Sequence, residues 1–144
     1  YANMVKNGGF EALEKLSGEA KKYIAPLPID YEPDEAAAGM FGLMMMTSGK
    51  HTDPENVAKA QALKDATMGW FIAQNLKSKF VHLNGNYHSD FKKGIITYLN
   101  KYRPGLKIAT VCSVRQDDIK KLGEENEGRA DFYICVPTDM TMTY

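Results

Sequence analysis

His88 is the residue in this chain best placed to do chemistry. It stands in KFVHLNGNYHSDFKKG, Lys79 to Gly94, directly after Tyr87 and before Ser89 and Asp90. The apolar run Phe80 to Leu83 ends in Asn84-Gly85-Asn86, after which a helical pattern begins at Ser89 or Asp90. This predicts a strand, a tight turn and a helix start. In open α/β sheets, ligands bind beyond the carboxyl ends of strands, where loops lead into helices. Backbone amides over 89–92, at such a helix start, would suit a carboxylate or a phosphate. Lys92 and Lys93 fall in the first turn, where a cation opposes the helix dipole. That placement makes more sense with an anion held there. The plainer reading of His88 is a loop histidine bonded to local backbone.

A second polar group lies on a long helix. Thr52 or Asp53 caps it, Pro54 takes its first position, and the pattern continues to about Leu76. On a helical wheel Val57, Ala60, Met68, Phe71 and Ile72 share an apolar stripe. Gln61 and Lys64 fall inside that stripe and Asp65 lies at its edge. Polar groups on a buried face are costly unless they find partners or line a cavity. Gln61 and Asp65, four residues apart, could bond each other; bonding to nearby loop backbone is the alternative.

The remaining chemical residues carry less. His82 interrupts the predicted strand and reads as a bonded core histidine, and His51 as a solvated loop residue. The chain has three histidines and two cysteines, none at zinc-ligand spacing, and no CxxCH for covalent haem. Ser89 lies in no GxSxG elbow. Met40 and Met44 to Met46 could wrap a flat apolar ligand, but methionine more often fills a core. Cys112 and Cys135 both sit in apolar runs and read as buried free thiols.

The elements that must position these residues fall into two regimes. Phe10 to Leu16 reads as a short helical piece, and Ser17 as the cap of another ending near Ile24. Prolines at 26, 28 and 33 force an extended connection, and a helix follows over 34–47. From Lys79 the pattern alternates: strand 79–84, helix 90–102, strand 106–112, helix 115–125, strand 131–136. Such alternation predicts an α/β fold with parallel strands and flanking helices. The strands are nearly continuous apolar runs, as expected of strands covered on both faces. The expected architecture is a helical block over 1–78 followed by a βαβαβ unit, with three strands, over 79–144.

Composition limits the function. The 144 residues carry 18 basic and 18 acidic side chains, with 44% hydrophobic and 25% charged residues. Zero net charge leaves no whole-chain excess to drive binding to nucleic acid or an anionic membrane. No apolar run approaches the ~20 residues a membrane helix needs. No basic and apolar leader pattern opens the chain at Tyr1.

Together these motifs resemble the ChaN-like haem-binding proteins, bacterial iron-uptake lipoproteins. The similarity rests on YANMV at 1–5, GFEALEKLS at 9–17, YIAPLPI at 23–29, KAQALKDATM at 59–68, LNGNYHSDFKKGI at 83–95, RPGLKIATV at 103–111 and ADFYICVP at 130–137. Two places depart from the family pattern. Gly69 follows Met68 where alanine is usual, and FKKG replaces an aromatic-then-glycine step.

The resemblance implies a parallel sheet with a smaller helical domain, this chain being roughly the second half, with the opening strands before Tyr1. It implies a binding protein rather than an enzyme. Non-covalent b-type haem would sit in a cleft at the strand ends and helical block, at a dimer interface formed on haem binding. Tyr31 or Tyr87 is the candidate iron ligand, with His88, Gln61, Lys64, Asp65 and Lys92 as further contacts. An outer-membrane haem receptor as partner and a place in the cell envelope, periplasmic or lipid-anchored, are implied too. The alternative is a hydrolase related to erythromycin esterases, with His88 as general base and Asp65 or an upstream glutamate in support.

Overall fold

A computed structural model of the chain describes residues 1–33, 39–43 and 52–141. The chain divides into two compact units, Tyr1–Asn75 and Leu76–Tyr144.

The first unit is helical. Helix α1 spans Ala2–Gly8, and a 3₁₀ segment, Phe10–Lys15, follows Gly9. Gly9 has φ 65°, a conformation glycine enters without a Cβ penalty. Helix α2, Gly18–Lys21, is a single turn capped by Ser17, whose Oγ accepts from the Ala20 amide at 3.2 Å. Residues 39–43 are helical. Met44 to Met46 and His51 lie outside the described residues.

Helix α3, Pro54–Asn75, organises this unit. Of the two caps the sequence allows, Asp53 takes the position: its carboxylate accepts from the Glu55 amide at 3.0 Å, and its carbonyl from the Val57 amide at 3.1 Å. The expected single stripe is wrong in detail. Val57, Ala58, Ala60, Leu63, Asp65, Ala66, Gly69, Ile72 and Ala73 are buried, which wraps most of the helix, whereas Phe71 is 39% exposed. A central helix packed on more than one side needs no single apolar stripe. Small residues dominate the buried set and let neighbouring chain approach closely. Gly69 belongs to it.

The second unit is α/β, with a smaller sheet than the sequence predicts. Strands β1, Val111–Arg115, and β2, Phe132–Val136, pair in parallel, with Val111 opposite Phe132 and Arg115 opposite Val136. Helix α4, Ile95–Tyr102, buries Ile95, Tyr98 and Leu99. Cys112 and Val114 form the inward face of β1. Both cysteines are free.

Several expectations fail here. The segment 79–84 has no regular secondary structure and joins no ladder among the described residues, and Val81 and Leu83 are 83% and 88% exposed. His82, expected in the core, is exposed with it. The helix expected from residue 90 starts only at Ile95, because Phe91, Lys92 and Gly94 adopt left-handed φ of 57°, 56° and 56°. The helix expected over 115–125 is replaced by turns around one side chain. Buried Gln116 donates through Nε2 to the carbonyls of Asp118 and Lys121 (2.6 Å to Lys121) and accepts at Oε1 from the Gly123 amide at 3.1 Å. Side-chain bonding of this kind takes backbone groups away from a helix ladder. Nor is the sheet covered on both faces: Val111, Phe132 and Ile134 are 59%, 62% and 54% exposed.

Candidate functional site

The loop 84–94 is held in shape by hydrogen bonds from several directions. Asn84 donates through Nδ2 to the Ser89 hydroxyl at 3.0 Å. Asn86 donates to the Ser113 carbonyl at 2.8 Å, which fixes the loop beside β1. Two short 3₁₀ turns, Asn86–His88 and Asp90–Lys92, carry the chain through it. Tyr87 is 41% exposed and His88 half-buried, their rings edge to face at 5.5 Å. This T-shaped geometry is favoured by the ring quadrupole.

Of the four amides expected to await an anion, those of Ser89, Phe91 and Lys92 are occupied, as is that of Lys93. Ser89 N donates to Asn86 O at 2.9 Å, Phe91 N to Arg129 O at 2.8 Å, Lys92 N to Ser89 O at 3.2 Å and Lys93 N to Asp90 O at 3.1 Å. The start of α4 lies beyond them, so the helix-terminus anion site read from the sequence is not built at 89–92.

Electrostatics anchor the loop to the strands. Arg129 donates through Nε and Nη2 to Asp90 Oδ2 at 3.1 and 2.7 Å, and through Nη1 to Asn126 Oδ1 at 2.7 Å. The Asp90 carboxylate raises the Arg129 pKa above its ordinary value. The Cys112 thiol lies 3.6 Å from Asp90 Oδ1, and burial first, then that carboxylate, pushes its pKa up. On the other side, Lys92 Nζ lies 2.6 Å from Asp131 Oδ1. Asp131 Oδ2 accepts from the amide and hydroxyl of Thr110 at 2.8 and 3.0 Å. Lys92 first and Thr110 second hold the Asp131 carboxyl down at about 2. The surrounding chain desolvates the His82 imidazole and His88 adds a like charge, so His82 titrates below its ordinary range.

The remaining predicted residues belong to the first unit. Tyr31 packs edge to face on Phe10 at 5.7 Å, against the cluster of Phe41, Val57 and Ala58, and its hydroxyl is buried. Gln61 accepts from Lys64 Nζ at 3.0 Å. Lys64 is exposed and Asp65 is buried. Thus Tyr87, His88 and Lys92 share one loop, and Tyr31, Gln61, Lys64 and Asp65 lie on the helical unit.

Sequence reasoning missed Asp90, Arg129 and Asp131 as the groups that set the loop. Arg129 lies 39 residues from Asp90, and no local pattern joins them. It also missed the left-handed backbone at Phe91, for which no sequence signal exists, since glycine or asparagine would be the usual mark.

The family model described as haem-binding uptake, Tiki superfamily, ChaN matches residues 1–99. The chain therefore belongs to this family of haem-binding uptake proteins. The match includes the loop 84–94 and ends within α4. Neither the curated proteins nor the solved structures compared with the chain give a match. Among the described residues no helix is long and apolar enough to cross a membrane, and no group of three or more His, Cys, Asp or Glu side chains could hold a metal ion.

Proposed function

We propose that the chain binds haem non-covalently in haem or iron uptake, and that the loop 84–94 supplies the contacts within the second unit. The observation that carries this reading is the Tyr87 phenol, 41% exposed and braced edge-on by His88 in the stretch matched to the family. The residues fit the group. A phenol suits ferric haem iron, because an anionic phenolate stabilises the ferric state. Lys92, 53% exposed at its side chain beside Asp131, offers an ammonium to a propionate. His88, half-buried on the same turn, orients the phenol or meets a carboxylate.

Between the two candidate tyrosines, exposure favours Tyr87, since the Tyr31 hydroxyl would have to leave the packed face of its unit to reach a ligand. We read the first unit as the family's helical domain and the second as the end of its sheet domain. A second copy of the chain would complete the iron coordination and bury the exposed apolar side of the site. A cell-envelope location, and delivery of haem to or from an outer-membrane receptor, belong to the same reading.

The test is a hemin titration followed in the Soret region, on the full chain and on Tyr87→Phe, Tyr31→Phe and His88→Ala. A saturable shift that Tyr87→Phe abolishes and Tyr31→Phe leaves intact supports the assignment. If the unsubstituted chain gives only the spectrum of free hemin, the haem reading is wrong. If Tyr31→Phe alone removes the shift, the ligand is misassigned.

A further inference from the structure

We propose that Phe91 is a stacking contact for the flat, apolar face of an acid-bearing tetrapyrrole, held in place by a strained backbone. The inference rests on the haem reading above and adds a residue to it. Phe91 has φ 57° and ψ 23°, and Lys92 follows with φ 56°. Left-handed backbone brings Cβ against the following carbonyl oxygen, so an L-residue enters it at a cost, and a bulky one is an outlier. Two such residues in succession without glycine demand a reason in the surrounding structure. Backbone outliers of this kind cluster at ligand clamps and active sites.

The means of holding the strain are visible. The Phe91 amide donates to the Arg129 carbonyl at 2.8 Å. Arg129 grips Asp90, the preceding residue, with two nitrogens at 3.1 and 2.7 Å. Asp131 takes the Lys92 ammonium at 2.6 Å. The chain is pinned before, at and after Phe91, so its conformation is imposed rather than relaxed.

What the strain gains is not burial. The Phe91 side chain is 56% exposed, so folding alone returns little for its unfavourable backbone. Its product is an aromatic ring presented to solvent on the loop that also presents Tyr87, with the cationic Lys92 next to it and Lys93 following. Two exposed aromatic residues on one loop, with two lysines following Phe91 in sequence, suit a planar apolar ring with carboxylates at its edge. Offset stacking on such a ring is worth more than its area alone.

The prediction separates binding from structure. Phe91→Gly relieves the left-handed strain, so the thermal midpoint of the haem-free chain rises, while hemin affinity falls by about three- to tenfold for a lost aromatic contact. Phe91→Trp restores the affinity. Unchanged hemin affinity in Phe91→Gly, with normal binding by the unsubstituted chain, overturns this inference and leaves the haem reading standing. A lowered midpoint together with weakened binding assigns Phe91 an ordinary packing role and also overturns it, as does a loss in Phe91→Trp equal to that in Phe91→Gly. Failure of the unsubstituted chain to bind hemin overturns both.

Discussion

Replacing Arg129 with methionine tests whether the candidate loop is shaped by long-range electrostatics. The side chain makes three hydrogen bonds, two to Asp90 and one to Asn126, and the two partners of the ion pair are only 24% and 16% exposed at their side chains. Hydrogen bonds to charged groups contribute roughly 1.5–3 kcal/mol each, and removing one partner of a buried pair costs roughly 3–5 kcal/mol because a charge is left uncompensated. This pair is partly solvated, and bonds sharing one guanidinium do not add. We therefore expect Arg129→Met to destabilise by about 2–3 kcal/mol.

For a chain of this length that corresponds to a drop of roughly 6–12 °C in the thermal midpoint. Denaturant unfolding of Arg129→Met, Asp90→Asn and the double variant closes a double-mutant cycle. The double variant should lose less than the sum of the singles, because neither then leaves an unpaired charge. Hemin titration of Arg129→Met should show weakened binding, since the same contacts hold Tyr87, His88 and Phe91 in register. A loss below about 0.5 kcal/mol, within the range of ordinary surface substitutions, or an additive cycle, would refute the argument.

Two further outcomes follow from the neighbouring groups. Asp131 is held at about 2 by Lys92 and Thr110, against an ordinary carboxyl value of 3.8; the unfolded chain therefore binds its proton first as pH falls, and stability is lost between about pH 4 and pH 2. Asp131→Asn should flatten that part of the urea-unfolding profile measured against pH, and an unchanged profile would contradict the Lys92 contact. Cys112 is buried and its thiol is pushed up by burial and Asp90; because the thiolate is the nucleophile, half-buried Cys135 should react first with an aromatic disulfide reagent. Equal rates in Cys112→Ser and Cys135→Ser would show that the inner face of β1 is open.

What the sequence settles by itself is local or periodic. Caps at Ser17 and Asp53 sit where their hydroxyl and carboxylate can reach amides two or three residues on, so they are legible without tertiary information. Alternation of apolar runs with helical patterns gave the α/β class and the parallel pair, because backbone pairing and burial periodicity are properties of short stretches. The stretch around His88 and the family resemblance were also legible, being carried by order and spacing along one chain.

Tertiary structure decided where those elements begin and which side chains meet. Asp90 and Arg129 find each other across 39 residues, and their pairing, with Lys92 on Asp131, bends the chain at Phe91 and delays α4 to Ile95. The amides of Ser89, Lys92 and Lys93 close local turns and that of Phe91 bonds the Arg129 carbonyl, so they are not left for an anion. Gln116 similarly unmakes a helix that propensity allowed. Asp90 took its partner from a distant segment, whereas buried Gln116 took backbone groups within seven residues of itself; in both cases an unsatisfied polar group would cost more than the local helix gained. The loop that carries Tyr87, His88 and Phe91 is thus named by sequence, but its shape is set by residues far along the chain.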